Sequence, residues 1–160
     1  MMVEFIECIR ACKSEGLSRL ETLRRLAAIE GVYVPVFYSP TYNEDGTLRS
    51  FDVIDPAAKP VVRKRILRDL DSAEYPESFV VPYTEAIHDR IVLEIMRGCT
   101  AGCRFCQAGI LYRPARERSL DTLFRQAEAL ENNTGYEEMS LSSLSSGDYS
   151  HLTELVCGLT

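Results

Sequence analysis

Apolar residues recur at Met2, Phe5, Ile6, Ile9 and Cys12, the spacing of one helix face, and Gly16 ends that run. Ser18 followed by Glu21 has the form of a capping box. Leu20, Leu23, Leu26 and Ala27 then make an apolar stripe, Arg19, Arg24 and Arg25 a polar one, and Gly31 stops the helix. Residues 1–31 therefore read as a helical hairpin. From Val32 the composition turns β-rich: Tyr33, Val34, Val36, Phe37 and Tyr38 surround Pro35, which marks an edge or irregular strand. Asn43 to Gly46 is a turn signal, and residues 48–54 fit a return strand. Pro56, Pro60, Pro76 and Pro82 punctuate the chain beyond that strand, so residues 32–89 read as a β-rich connector. Within it, residues 61–67 fit a short strand and a helix equally.

Beyond residue 90 the pattern sharpens. Residues 91–96 are nearly all apolar and β-branched, as in a buried parallel strand. A loop of small and polar residues runs to about Arg118. Ser119 is an N-cap for a helix carrying Leu120, Leu123, Phe124, Ala127 and Leu130, ended by Asn132, Asn133 and Gly135. Met139 to Ser142 alternates like a strand, and another helix starts after Tyr149. Strand, helix, strand, helix is the order of an α/β parallel sheet, which assigns residues 90–160 to one domain.

Composition changes the picture in two ways. Eighteen Lys and Arg against 24 Asp and Glu give a net charge of −6, which argues against a non-specific polyanion binder and lowers the odds on nucleic acid. No stretch approaches a membrane span, and Glu4 and Glu7 interrupt the N-terminal apolar run, unlike a secretory signal. The expected compartment is the cytoplasm, where the six cysteines call for metal or redox chemistry rather than disulfides.

Three of those cysteines stand together. Cys99, Cys103 and Cys106 follow the first buried strand with the spacing Cys-x3-Cys-x2-Cys, and Gly98 and Gly102 give the loop freedom to curl. Three thiolates suit a soft metal centre, either zinc or an iron–sulfur cluster. A structural zinc site needs a fourth ligand, for which His88, His151 and Cys157 are the candidates. That alternative is a small zinc-binding structural or interaction module. A four-iron cluster held by three cysteines leaves one iron open to a substrate or cofactor.

With Phe105 before Cys106, the loop resembles the Cys-x3-Cys-x-aromatic-Cys hallmark of the radical S-adenosylmethionine (radical SAM) superfamily. The flanking Glu94, Arg97, Gln107, Tyr112, Pro114 and Glu117 make it similar to uncharacterised members whose chains often carry a cobalamin-binding-type domain before the barrel. The resemblance implies the start of a partial (β/α)6 TIM-like barrel. It implies a [4Fe-4S] cluster on Cys99, Cys103 and Cys106, and S-adenosylmethionine on the open iron. Reductive cleavage to a 5′-deoxyadenosyl radical, an electron donor such as flavodoxin or ferredoxin, and an oxidoreductase-type activity are implied with it. Cobalamin in the full-length protein is compatible with the resemblance, and the residues of this chain do not decide its use. Phe105 would lie near the adenine. Ser146, Gly147 and Asp148 stand where the family has Gly-Gly-Glu, which holds the methionyl amino group, so Asp148 is a carboxylate one methylene short.

Other residues invite plainer readings. Arg113, Arg116 and Arg118 form a cationic run expected on a solvated loop. Alternation would put Val92, Glu94 and Met96 on one face, with Ser140 and Ser142 sharing a cavity lining. Cys8, Cys12 and Cys157 read as buried small residues. Since a barrel domain runs to about 200 residues or more, the chain is expected to be the first part of a longer enzyme, inactive alone, with an open sheet edge after its second strand.

Overall fold

The computed structural model describes residues 1–84 and 87–160. The chain divides into two compact units, Met1–Ile66 and Leu67–Thr160.

In the first unit, helix α1 (Met2–Ser14) and helix α2 (Arg19–Ala28) form the expected hairpin. The capping box is complete: the Ser18 hydroxyl accepts from the Glu21 amide at 3.3 Å, and Glu21 accepts from the Ser18 amide at 2.9 Å. Arg25 grips Glu15 with two hydrogen bonds of 2.9 and 2.6 Å, tying the helices together. Strands β1 (Tyr38–Tyr42) and β2 (Leu48–Val53) pair antiparallel around the Asn43–Gly46 turn. The strand expected from Val32 begins only at Tyr38, because Pro35 opens a 3-10 turn over Pro35–Phe37. Proline lacks the amide that a ladder needs, and its fixed φ suits a turn. Ala27, Val34, Phe37 and Tyr38 make the core here. Residues 61–67 are neither helix nor strand.

The second unit is built on a β–α–β element. Strand β3 (Ile91–Glu94) pairs parallel with β6 (Met139–Ser142), Ile91 opposite Met139 and Glu94 opposite Ser142. Helix α4 (Leu120–Thr134) connects them, capped by Ser119 and closed by Gly135 at φ +71°. Ile91, Leu93 and Ile95 bury fully with Leu123, Ala127 and Leu130 of α4, Tyr149, and Leu155 of α5 (Leu152–Leu159). Mixed α/β architecture is thus observed.

Two features depart from the simple pattern. The β3 run ends at Glu94, after which Met96–Arg97 (β4) pairs antiparallel with Arg116–Glu117 (β5), closing the cysteine-bearing loop at its base. A short helix α3 (Ala108–Leu111) sits inside that loop. Second, the end of the expected connector packs into this unit rather than linking two others. Leu70 is buried, and Asp71, Ala73, Tyr75, Glu77 and Phe79 are less exposed than the residues between them. This extended strap runs along α4: Asp71 accepts from the Ser119 amide at its start, and the Glu77 carbonyl accepts from Asn133 near its end.

Candidate functional site

Parallel strands carry their ligands beyond their carboxyl ends. Both segments singled out from the sequence leave β3 and β6 at that end. The cysteine loop follows β4, and a 3-10 turn over Ser146–Asp148 follows β6.

The loop's entry depends on Gly98. Its φ is +88°, and a Cβ there would come within 2.7 Å of the Tyr112 and Pro114 carbonyls and 2.9 Å of the Ala115 Cα. The start and end of the loop therefore touch through bare backbone. Gly102 also has positive φ, at +68°, but a Cβ there would meet only ordinary contacts, Arg113 at 3.8 Å and Thr100 at 3.9 Å. Cys99 and Cys106 are half-buried, Cys103 is exposed, and all three thiols are free. The Ala101 amide donates to the Cys99 sulfur at 3.4 Å, and the Cys106 amide donates to the Cys103 carbonyl at 3.1 Å. Three unpaired thiols on one glycine-hinged loop are a soft donor set, and they fit an iron–sulfur cluster chemically.

A closed zinc site is a stricter demand, four ligands around one point. Among the described residues no three His, Cys, Asp or Glu side chains converge on one ion position, the three loop thiols included. His151 is instead hydrogen-bonded to Glu154 at 2.9 Å. Cys157 is exposed on α5, correcting its reading as a buried residue, whereas Cys12 is buried and Cys8 partly so.

Phe105 is 92% exposed, so it is no core aromatic. Gly147 and Asp148 are exposed, and the Asp148 carboxylate makes no hydrogen bond or ion pair among the described residues. Ser146 shares a hydrogen bond of 2.9 Å with Ser143, whose hydroxyl also accepts from the Ser145 amide. A serine lattice thus shapes the turn and leaves its carboxylate outward.

Of the arginine run, Arg113 is exposed as expected, but Arg116 is half-buried and Arg118 buried. Arg118 is 1% exposed. Its guanidinium donates to the Glu94 carbonyl at 3.0 Å and the Leu70 carbonyl at 2.6 Å, and lies over the Tyr75 ring. Arg116 donates to the Leu67, Pro114 and Tyr112 carbonyls. Both arginines therefore serve as backbone clamps.

Glu94 lies on the strand face opposite Ile91 and Leu93, away from the helix. It is not a free carboxylate beside a cavity. Arg97 holds it through bonds of 2.6 and 2.8 Å, and Arg118 lies 3.4 Å away. The Arg97 hydrogen bonds keep its carboxyl below the ordinary range, and Arg97 is correspondingly raised. Ser140 meets Arg90 at 3.5 Å, and Ser142 is exposed. Sequence reasoning assigns no such role to Arg97, Glu117 or Tyr149. The period-two spacing of Ala73, Tyr75 and Phe79 is the one local sign of the strap.

A loop bearing three thiols and a turn bearing a carboxylate thus stand at one end of a β–α–β unit. The family model for the radical SAM superfamily matches residues 93–160, and that segment belongs to the superfamily. Members generally use a [4Fe-4S] cluster and S-adenosylmethionine. The chain is also 33% identical over 111 residues to the uncharacterized protein MJ0966 of Methanocaldococcus jannaschii, covering 67% of this chain and 25% of the relative. It spans about a quarter of the length of that curated relative. No solved structure matches this chain. Neither comparison names cobalamin. Among the described residues no helix is long and apolar enough to cross a membrane.

Proposed function

We propose that this chain carries the cluster-binding part of a radical SAM enzyme, with Cys99, Cys103 and Cys106 as the cluster ligands and the first strand–helix units of a partial barrel as its frame. The supporting observation is the membership of residues 93–160, in which Cys99, Cys103 and Cys106 are free thiols on one loop. When bound, the cluster and S-adenosylmethionine supply a reductively generated 5′-deoxyadenosyl radical, with a flavodoxin- or ferredoxin-type protein as electron donor.

The chain's own residues have distinct tasks. Gly98 lets the loop fold back on residues 112–115, so the thiols are presented from a closed base. The Ala101 amide orients the Cys99 sulfur through its hydrogen bond. Asp148 offers an unpaired carboxylate to the methionyl ammonium, with Gly147 leaving room for backbone approach and Ser146 fixing the turn. Phe105 offers an exposed ring for the adenine to stack on.

Anaerobic reconstitution with iron and sulfide tests this. The expected result is a brown protein with about four irons per chain, lost in Cys103→Ala. A colourless wild-type protein holding one tight zinc would instead establish the zinc module.

A further inference from the structure

We propose that Glu117 and Arg118 are positioning residues that set the Ser146–Asp148 turn against the cysteine loop, coupling the two halves of the site through one dipeptide. This rests on the functional reading above.

Each half is fastened to the same two residues. On the cysteine side, Glu117 pairs with Met96 in the β4–β5 ribbon, one residue before Arg97 and Gly98. The Arg118 amide donates to the Ile95 carbonyl at 2.9 Å. On the other side, Tyr149 and Ser150 directly follow Asp148. The Tyr149 hydroxyl donates to the Arg118 carbonyl at 2.9 Å. The Ser150 amide and hydroxyl both donate to Glu117 Oε1, at 3.2 and 3.0 Å. Neither fastening is loose. Tyr149 is 3% exposed, and the Arg118 side chain is locked by two carbonyls and an aromatic face. A buried arginine is costly unless fully satisfied. Here its satisfaction fixes the backbone to which Tyr149 is bonded.

Arg118 also supports the core, so a change there would confuse positioning with folding. Glu117 separates them: it is half-buried, and its carboxylate bonds are to Ser150. An alanine removes those bonds. A glutamine keeps a side-chain oxygen in the same place.

The test uses the reconstituted full chain with the variants E117A and E117Q, read by iron content, by electron paramagnetic resonance of the reduced cluster, and by its response to S-adenosylmethionine. E117A is expected to keep the wild-type iron content and ligand-free spectrum, while its apparent Kd for S-adenosylmethionine rises about tenfold. E117Q is expected to recover most of that loss. Unchanged affinity in E117A, or iron lost in parallel with affinity, overturns the proposal. Should the wild type hold no cluster or give no response, the functional reading fails by itself. Amide hydrogen exchange of the apoprotein then decides the coupling. It stands if E117A speeds exchange at residues 145–150 and not at 123–131, and falls if exchange is unchanged.

Discussion

Arg118 and Leu70 stand 48 positions apart in the chain, yet a guanidinium nitrogen of one lies 2.6 Å from the carbonyl oxygen of the other. That bond joins the strap to the residue just after β5, where the cysteine loop returns. The Tyr75 hydroxyl on the Val92 carbonyl makes a second such join further along the strap. Local order at the site thus depends on residues well upstream of the cysteines.

Tyr75→Phe isolates the second join. The ring stays over Arg118 while the hydroxyl on Val92 is lost. A loss of about 1 kcal/mol is expected. It is measured as a lower urea midpoint with an unchanged slope, and a midpoint equal to wild type would refute it.

Glu94→Gln removes the charge that faces both Arg97 and the buried Arg118. Since Glu94 remains partly exposed, the expected cost is about 1–3 kcal/mol rather than the larger penalty of a fully buried pair. Thermal or urea unfolding of the two proteins at neutral pH reads it directly.

The same pair sets a pH dependence. The Glu94 carboxyl is lowered in the folded chain, chiefly by the Arg97 hydrogen bonds, against the opposing effect of burial. Its contribution is therefore complete above the ordinary carboxylate value of about 4.3 and disappears as pH falls through the lowered folded value. The gap in urea midpoint between wild type and Glu94→Gln should narrow on acidification. A gap that widens would contradict the assignment.

Gly98→Ala combines a left-handed backbone with contacts to backbone atoms that cannot move aside. About 1–2 kcal/mol from the conformation and 1–3 kcal/mol from overpacking are expected. Gly102→Ala has the conformational cost alone, so it should be the milder of the two in the same unfolding assay.

Short-range chemistry was legible in the sequence. Ser18 with Glu21, Ser119, Gly135, and the glycines that bend the cysteine loop all act within a few residues of themselves, and each appears where its chemistry requires. The apolar runs that form β3, α4 and β6 are equally plain. What escaped was long-range. Arg118 carries a solvent-loving side chain, and only partners at Leu70, Tyr75 and Glu94 explain its burial. Glu94 resembles a cavity carboxylate because alternation shows a face but not the arginines that meet it there. Pro35 fits an irregular strand by its neighbours, yet the turn it nucleates displaces the strand's start to Tyr38.

Tyr75 and Arg118 also meet the outward carbonyls of β3, at Val92 and Glu94, with side chains in place of a neighbouring strand. Among the described residues β6 pairs only with β3. This little sheet consequently has a terminus and a growing side. Among the described residues, the margin of this sheet open to a further strand is that of β6. A second copy meeting this sheet edge to edge would use up the β6 margin on both partners, leaving that sheet with no further place for a strand beyond β6.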